Sequence, residues 1–330
     1  MAHPPRLPPN GFVAAFRKAC NSPSFSECCN FIISAILAGA LISIALTRAE
    51  YRSFDMPCNR SALKDCFTHQ YLYREVGLFL HNLGNMGAPL FACIQFMPCI
   101  RREFLLLHRL NGYSVLWFSL VGTIGTLMIA RGLFGGGLDV QAALGLNGIL
   151  FVGALVLAYV QIKRLQIDQH RAWMIRAWFY AGSIITVRII MVFAATIISN
   201  IGTYYAARPC REVASAIGHA SQTVALYPDC ATYFSGENPD QHVVVHADLN
   251  SSYPVEAAVA AGMSFGMAMW LALVIHVVAV EIYLKLTPAE AERLRNVSLE
   301  RQAEAGTKPI EWNHTGSSSM TVKPAGSPAK

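Results

Sequence analysis

Apolar residues in this chain collect into blocks of spanning length, separated by short polar stretches, and the blocks alone predict most of the architecture. They cover approximately Asn30–Thr47, Val76–Pro98, Leu110–Gly132, Gln141–Ile162, Ala172–Asn200 and Ala257–Leu284. A bilayer core requires about 20 apolar residues in helical form, so each block reads as a transmembrane helix. The first begins behind a Pro-rich stretch, too far from Met1 for an ordinary secretory signal peptide, and is expected to be retained. The expectation is an all-α fold: a polytopic membrane helical bundle of about six transmembrane helices, with a four-helix core from helices two to five.

Polar connections divide the chain further. Residues 1–29 form an N-terminal segment, 30–284 the transmembrane domain, and 285–330 a tail. The tail opens on Thr287-Pro-Ala-Glu290, a capping-box pattern with proline at the first helical position, so a short charged helix to about Glu304 is expected. The Ser, Pro, Gly and Lys content beyond Gly306 predicts a disordered end. The stretch Ile201–Glu256 is too long for a plain connector and should have order of its own.

Sixteen Lys and Arg fall on the side holding both termini and eight on the other, so both termini are expected in the cytoplasm. Cys58 and Cys66 then share one outward loop and Cys210 and Cys230 another, giving two candidate disulfides. The acceptor triplets at Asn59 and Asn250 lie on the same side as candidate glycosylation sites. These features fit the plasma membrane or an endomembrane of the secretory pathway.

Composition supports a membrane class. Hydrophobic residues make up 54% of the chain, charged residues 14%, and mean hydropathy is +0.38. The formal charge of +6 sits largely in loops and the tail, where membrane topology explains it, so the bilayer and not nucleic acid is the expected partner.

Candidate chemistry lies in the polar residues placed within these blocks. Arg188 stands near the middle of the fifth, where an isolated charge costs roughly 2.5–3.5 kcal/mol on insertion scales, so it needs a partner, a ligand or water. His81 and Asn85 are one turn apart on the second helix, Gln95 lies further along it, and Asn147 is on the fourth. An outer-half ligand pocket joining Arg188, His81, Asn85 and Asn147 is one expectation. His108 and His170 both begin helices on the expected inner side, with Arg109, Arg171 and Arg176 nearby. The bland alternatives are real: Asn and Gln often act as interhelical glue, worth about 0.6 kcal/mol, and the His-Arg pairs also suit helix boundaries. In the loop, His242 and His246 share a strand face and, with His219, form a metal candidate weighed against an exposed polar loop.

The order His81…Gln95-Phe…Arg101-Arg…His108-Arg-Leu-Asn-Gly-Tyr113, Phe134-Gly-Gly-Gly137 and His170-Arg-Ala-Trp-Met-Ile-Arg176…Arg188 resembles the membrane family catalogued as domain of unknown function 2306, which includes fungal members. The resemblance covers about residues 76–192 and draws attention to His81, Gln95, His108, Arg109, Gly112, Tyr113, His170, Arg171, Trp173, Met174, Arg176 and Arg188. It implies no settled activity.

Three functions remain open. The first is a transmembrane redox protein in which His108 and His170 hold haem b iron, with His81 as a further candidate and Arg109, Arg171 and Arg176 facing propionates; it would need an electron donor. The second is a non-redox binding or transport protein whose ligand meets Arg188, His81, Asn85, Asn147 and Gln95. The third is a structural or assembly protein. Hydrolytic chemistry is less favoured because the apolar blocks carry almost no carboxylates, and no phosphate loop or paired-cysteine zinc motif is present.

Overall fold

The computed structural model describes residues 72–96, 104–132 and 136–306. The expected first helix, Cys58, Cys66, Asn59, Phe134 and the tail beyond Gly306 lie outside the described residues. Within them, the chain forms α1 (Leu72–Phe96), α2 (Leu105–Ile129), α3 (Leu138–Lys163) and α4 (Ile167–Ile201). A small subdomain follows, with β1 (Tyr205–Pro209), α5 (Cys210–Ile217), α6 (Ala220–Leu226), a 3-10 turn at Pro228–Cys230, α7 (Ala231–Ser235) and β2 (His242–His246). The long helix α8 (Pro254–Leu286) then returns through the bundle to α9 (Pro288–Glu304).

α2, α3, α4 and α8 are long and apolar enough to cross a membrane. α1 has the length, but His81, Asn82, Asn85 and Gln95 make it more polar. The helices begin earlier than the apolar blocks. His108 and Arg109 lie inside α2, and His170 and Arg171 inside α4, because backbone hydrogen bonding continues through polar first turns that hydropathy excludes.

The arrangement of side chains on α2 identifies its solvent. Its buried face is Asn111, Val115, Ser119, Gly122, Gly125 and Ile129, whereas Leu110, Trp117, Leu120, Ile124 and Leu127 point outward. Small and polar residues inside with apolar residues outside suit lipid, where close backbone approach and interhelical hydrogen bonds hold helices together. α1 and α2 pack along their lengths. At their crossing, a Cβ on Gly84 would lie 2.2 Å from the Gly122 Cα, so these backbones nearly touch.

A second packing unit joins α3, α4 and α8. Val140, Ala143, Leu144, Val187, Met191, Phe265, Ala268 and Met269 form one buried layer. Ala154, Leu155, Ala177, Tyr180 and Val280 form another. α8 therefore adds to the helical core, an involvement that the loop before it concealed in the sequence.

The subdomain seats on the ends of α4 and α8 through Ala195, Val255 and Val259, together with Val213, Val243 and Val245. β1 and β2 pair antiparallel, with Tyr205 opposite His246 and Pro209 opposite His242. A disulfide joins Cys210 to Cys230, closing a segment with sequence separation 20. Gly202, at φ 71°, ends α4 in the left-handed conformation and donates its N–H to the Ile198 carbonyl.

At the opposite end, α9 folds back against α4. The Ser298 hydroxyl accepts from the Ile167 and Asp168 N–H groups and reaches the Asp168 carboxylate at 2.8 Å, so a distant helix caps α4. The expected capping box is not made. Thr287 donates instead to the Tyr283 carbonyl, and Glu290 pairs with Arg293. Thr287 alone separates the end of α8 from the start of α9, which keeps it engaged with the preceding turn.

Candidate functional site

Among the described residues, three polar clusters are built between the helices. In the first, Thr126 donates its hydroxyl proton to the Gly122 carbonyl at 2.8 Å, as threonines in helices often do. Its oxygen is then the acceptor for His81 Nδ1, also at 2.8 Å. His81 Nε2 accepts from the Asn85 amide at 2.9 Å. The same Asn85 nitrogen also stands 3.2 Å from Nδ1, and with Thr126 as the Nδ1 acceptor the ring proton is placed on Nδ1.

The second cluster lies further along the same helix pair. The buried Asn111 spends its amide protons on the Phe91 carbonyl and Gln95 Oε1, both at 2.8 Å. Gln95 must therefore present its amide nitrogen to His108 Nε2, at 3.2 Å. Gly112 leaves the room this side chain uses, since a Cβ there would lie 3.1 Å from Gln95 Nε2. His108 is thus an acceptor in a local network. Arg109 beside it is exposed.

The third cluster runs between α4 and α8. Arg176 makes a two-pronged bond to Glu281, Nε to Oε1 at 2.6 Å and NH2 to Oε2 at 3.0 Å, while lying over the Trp173 ring. Thr186 meets His276 Nε2 at 2.8 Å. The Arg188 guanidinium carbon stands 5.9 Å from the Phe265 ring centre on the same seam. Near the start of α4, His170 Nδ1 donates to the Ala158 carbonyl of α3 at 2.9 Å, leaving Nε2 as its basic nitrogen. Arg171 is half-buried on the same turn.

A partly open cavity of about 50 Å³ lies between α2 and α3, lined by Thr123, Thr126, Leu127, Leu144, Asn147, Gly148 and Phe151. That volume holds a few waters or the polar end of a small molecule. Asn147 Oδ1 is buried and has no hydrogen-bond partner among the described residues. A single chain therefore runs from the cavity through Thr126 to His81 and Asn85. Arg188 is not part of the cavity lining. Of the expected pocket residues, the structure associates His81, Asn85 and Asn147 with this cavity, places Gln95 in the second cluster and gives Arg188 to the α4–α8 seam.

Sequence reasoning missed Thr126, Asn111, Thr186 and Glu281. A threonine or asparagine in an apolar run carries no sign of its interhelical partner, although Glu281 as a counter-charge for the arginines could have been sought by sign alone.

The expected His219, His242, His246 trio is not assembled. Even spacing sets His242 and His246 on one face of β2, but four strand steps separate them by about 13 Å. His242 bonds the Asp240 carbonyl, and His219 is exposed at the start of α6. In the same subdomain, burial raises the Glu212 carboxyl above its ordinary range, opposed by the nearby Arg208. Burial and the Glu256 carboxylate push the Tyr227 phenol up to about 12. Asn250 is exposed.

Residues 78–211 match the family model described as "Predicted membrane protein (DUF2306)", a span that contains α2, α3, α4 and most of α1. The chain is also similar to "Ava biosynthesis cluster protein G" of Aspergillus versicolor, 27% identical over 241 residues, which is 63% of this chain and 69% of that protein. No solved structure matches. The histidines of α1, α2 and α4 that build these clusters all fall within the matched span, and over those residues the chain is similar to the DUF2306 family of membrane proteins.

Proposed function

We infer that this integral membrane protein binds a small amphipathic molecule through the α2–α3 cavity without redox chemistry. The observation that carries the reading is the buried Asn147 Oδ1, to which no group among the described residues donates. An orphaned buried acceptor costs about 1–3 kcal/mol, and a ligand N–H or O–H removes that cost. Thr123 and Thr126 add hydroxyls, while Leu127, Leu144 and Phe151 supply an apolar wall. This combination of a few directed polar groups on an apolar lining is the usual chemistry of a small-molecule pocket. His81 and Asn85 act behind Thr126 by fixing its orientation. The similar Aspergillus versicolor protein is named for a biosynthesis cluster, which supports a small organic ligand.

The haem b reading keeps one favourable observation. His170 donates Nδ1–H to a backbone carbonyl, the orientation of a metal-ligating imidazole. Its partner fits less well, because His108 Nε2 already accepts from Gln95. The residues present therefore favour the non-redox reading.

One preparation tests both. The full chain and Asn147→Leu are purified in mild detergent, extracted with organic solvent and compared by mass spectrometry, with a visible spectrum taken first. The expected result is a small molecule near one per chain, absent from an Asn147→Leu sample that melts like the parent. Identical extracts would refute the cavity as the binding site, and a haem spectrum lost in His170→Ala would restore the redox reading.

A further inference from the structure

The subdomain brings together a histidine and two carboxylates that the membrane clusters do not use. His246 ends β2, Asp248 lies in the following loop and Glu256 stands in the first turn of α8. One ligand-capable atom from each lies within 4.8 Å of the others, and all three residues are half-buried. Three atoms so placed share a centre no more than about 2.8 Å from any of them, against metal–ligand lengths of roughly 2.0–2.2 Å for zinc. Side-chain adjustments of well under 1 Å close that gap.

The surroundings prepare the same three groups. His246 Nε2 donates to the Gly202 carbonyl at 3.1 Å, which places the basic lone pair on Nδ1. A second nitrogen anchored on a backbone carbonyl is the arrangement that orients imidazole ligands. Asp248 Oδ1 accepts from the Asn250 N–H at 2.9 Å, and Glu256 Oε1 faces the Tyr227 hydroxyl at 3.5 Å. Each carboxylate thus has one oxygen held by a neighbour in the same subdomain. Two carboxylates held this close repel, and a divalent cation between them removes the repulsion.

We propose that His246, Asp248 and Glu256 form a site for a divalent first-row metal ion, with Zn²⁺ preferred. One imidazole and two carboxylates suit a borderline cation better than Ca²⁺, which favours an all-oxygen shell. Two carboxylates and a neutral imidazole balance its charge. The ion would tie the end of the β-hairpin to the first turn of α8 and leave at least one coordination position for water or an exogenous ligand.

The test uses the full chain in detergent, treated with chelator and titrated calorimetrically with Zn²⁺ and, separately, Mn²⁺. One saturable ion per chain is expected. Asp248→Asn and Glu256→Gln should each weaken binding roughly 100-fold or more, while His242→Ala and His219→Ala leave it unchanged. An intact Cys210–Cys230 disulfide on a non-reducing gel and an unaltered proteolytic pattern serve as controls for folding. Three results would overturn the site: no saturable binding of either ion, undiminished binding in both carboxylate variants with folding preserved, or loss of binding in His242→Ala.

Discussion

Replacing Gly84 with alanine tests how the first helix pair positions its chemistry. The added Cβ would lie 2.2 Å from the Gly122 Cα, 2.3 Å from its nitrogen and 2.6 Å from the Phe118 carbonyl oxygen. All are backbone atoms, so no side-chain rotation relieves the overlap. Ordinary carbon contacts stand at about 3.5–4.0 Å, which requires α1 and α2 to separate locally by about 1.3 Å or more. His81 and Thr126 are about one turn from the crossing, and their 2.8 Å bond would lengthen beyond hydrogen-bonding range under such a shift. Overpacking of this kind costs about 1–3 kcal/mol. Gly145→Ala is the matched control, because a Cβ there meets nothing within 4 Å and alanine gains up to about 1 kcal/mol in helix propensity. Thermal unfolding in detergent should show Gly84→Ala several degrees below the parent and Gly145→Ala level with it or above. Acylation of His81, mapped by mass spectrometry, should rise in Gly84→Ala alone. Melting of both variants together, with unchanged His81 labelling, would refute the tight crossing and its role in holding the imidazole.

Two further outcomes concern the bundle and its subdomain. Closing a segment of sequence separation 20 contributes about 3 kcal/mol by loop entropy, so Cys210→Ser with Cys230→Ser should speed amide exchange in β1, β2 and α5 while leaving α2 and α3 protected; uniform exchange across the chain would refute a local staple. The Arg176–Glu281 fork is part-exposed, with Glu281 45% accessible, so its coupling is put at about 1–2 kcal/mol, below the range of fully buried pairs. Arg176→Met and Glu281→Gln should therefore each lower the melting temperature more than the double variant does beyond either one, and strictly additive losses would show that the pair is not coupled.

The long helices were legible because apolar runs of about twenty residues rarely arise outside a bilayer, and hydropathy located four of them to within a few residues. Their first turns were not legible, since His108, Arg109, His170 and Arg171 are polar yet helical. Site residues were legible singly and illegible as sets. His81 and Asn85 could be paired by helical spacing, whereas the 45-residue separation of His81 from Thr126 has no sequence signature. Arg188 stood out by its charge, but the sequence could not choose between the cavity and the Phe265 seam. The subdomain shows the opposite limit: even spacing placed two histidines on one strand face, and the same four strand steps already set them about 13 Å apart, too far to share one ion.

α8 contributes to all three buried layers: Val255 and Val259 beneath the subdomain, Phe265 and Met269 in the middle, and Val280 towards the other end. Among the described long helices it is the last to leave the ribosome. The α3–α4 pair and the β-hairpin consequently wait through synthesis with one wall missing, and each completes its packing when a single segment inserts. Maturation of the bundle and of the subdomain is thereby coupled in time, so an error in α8 presents as simultaneous failure at both ends of the molecule.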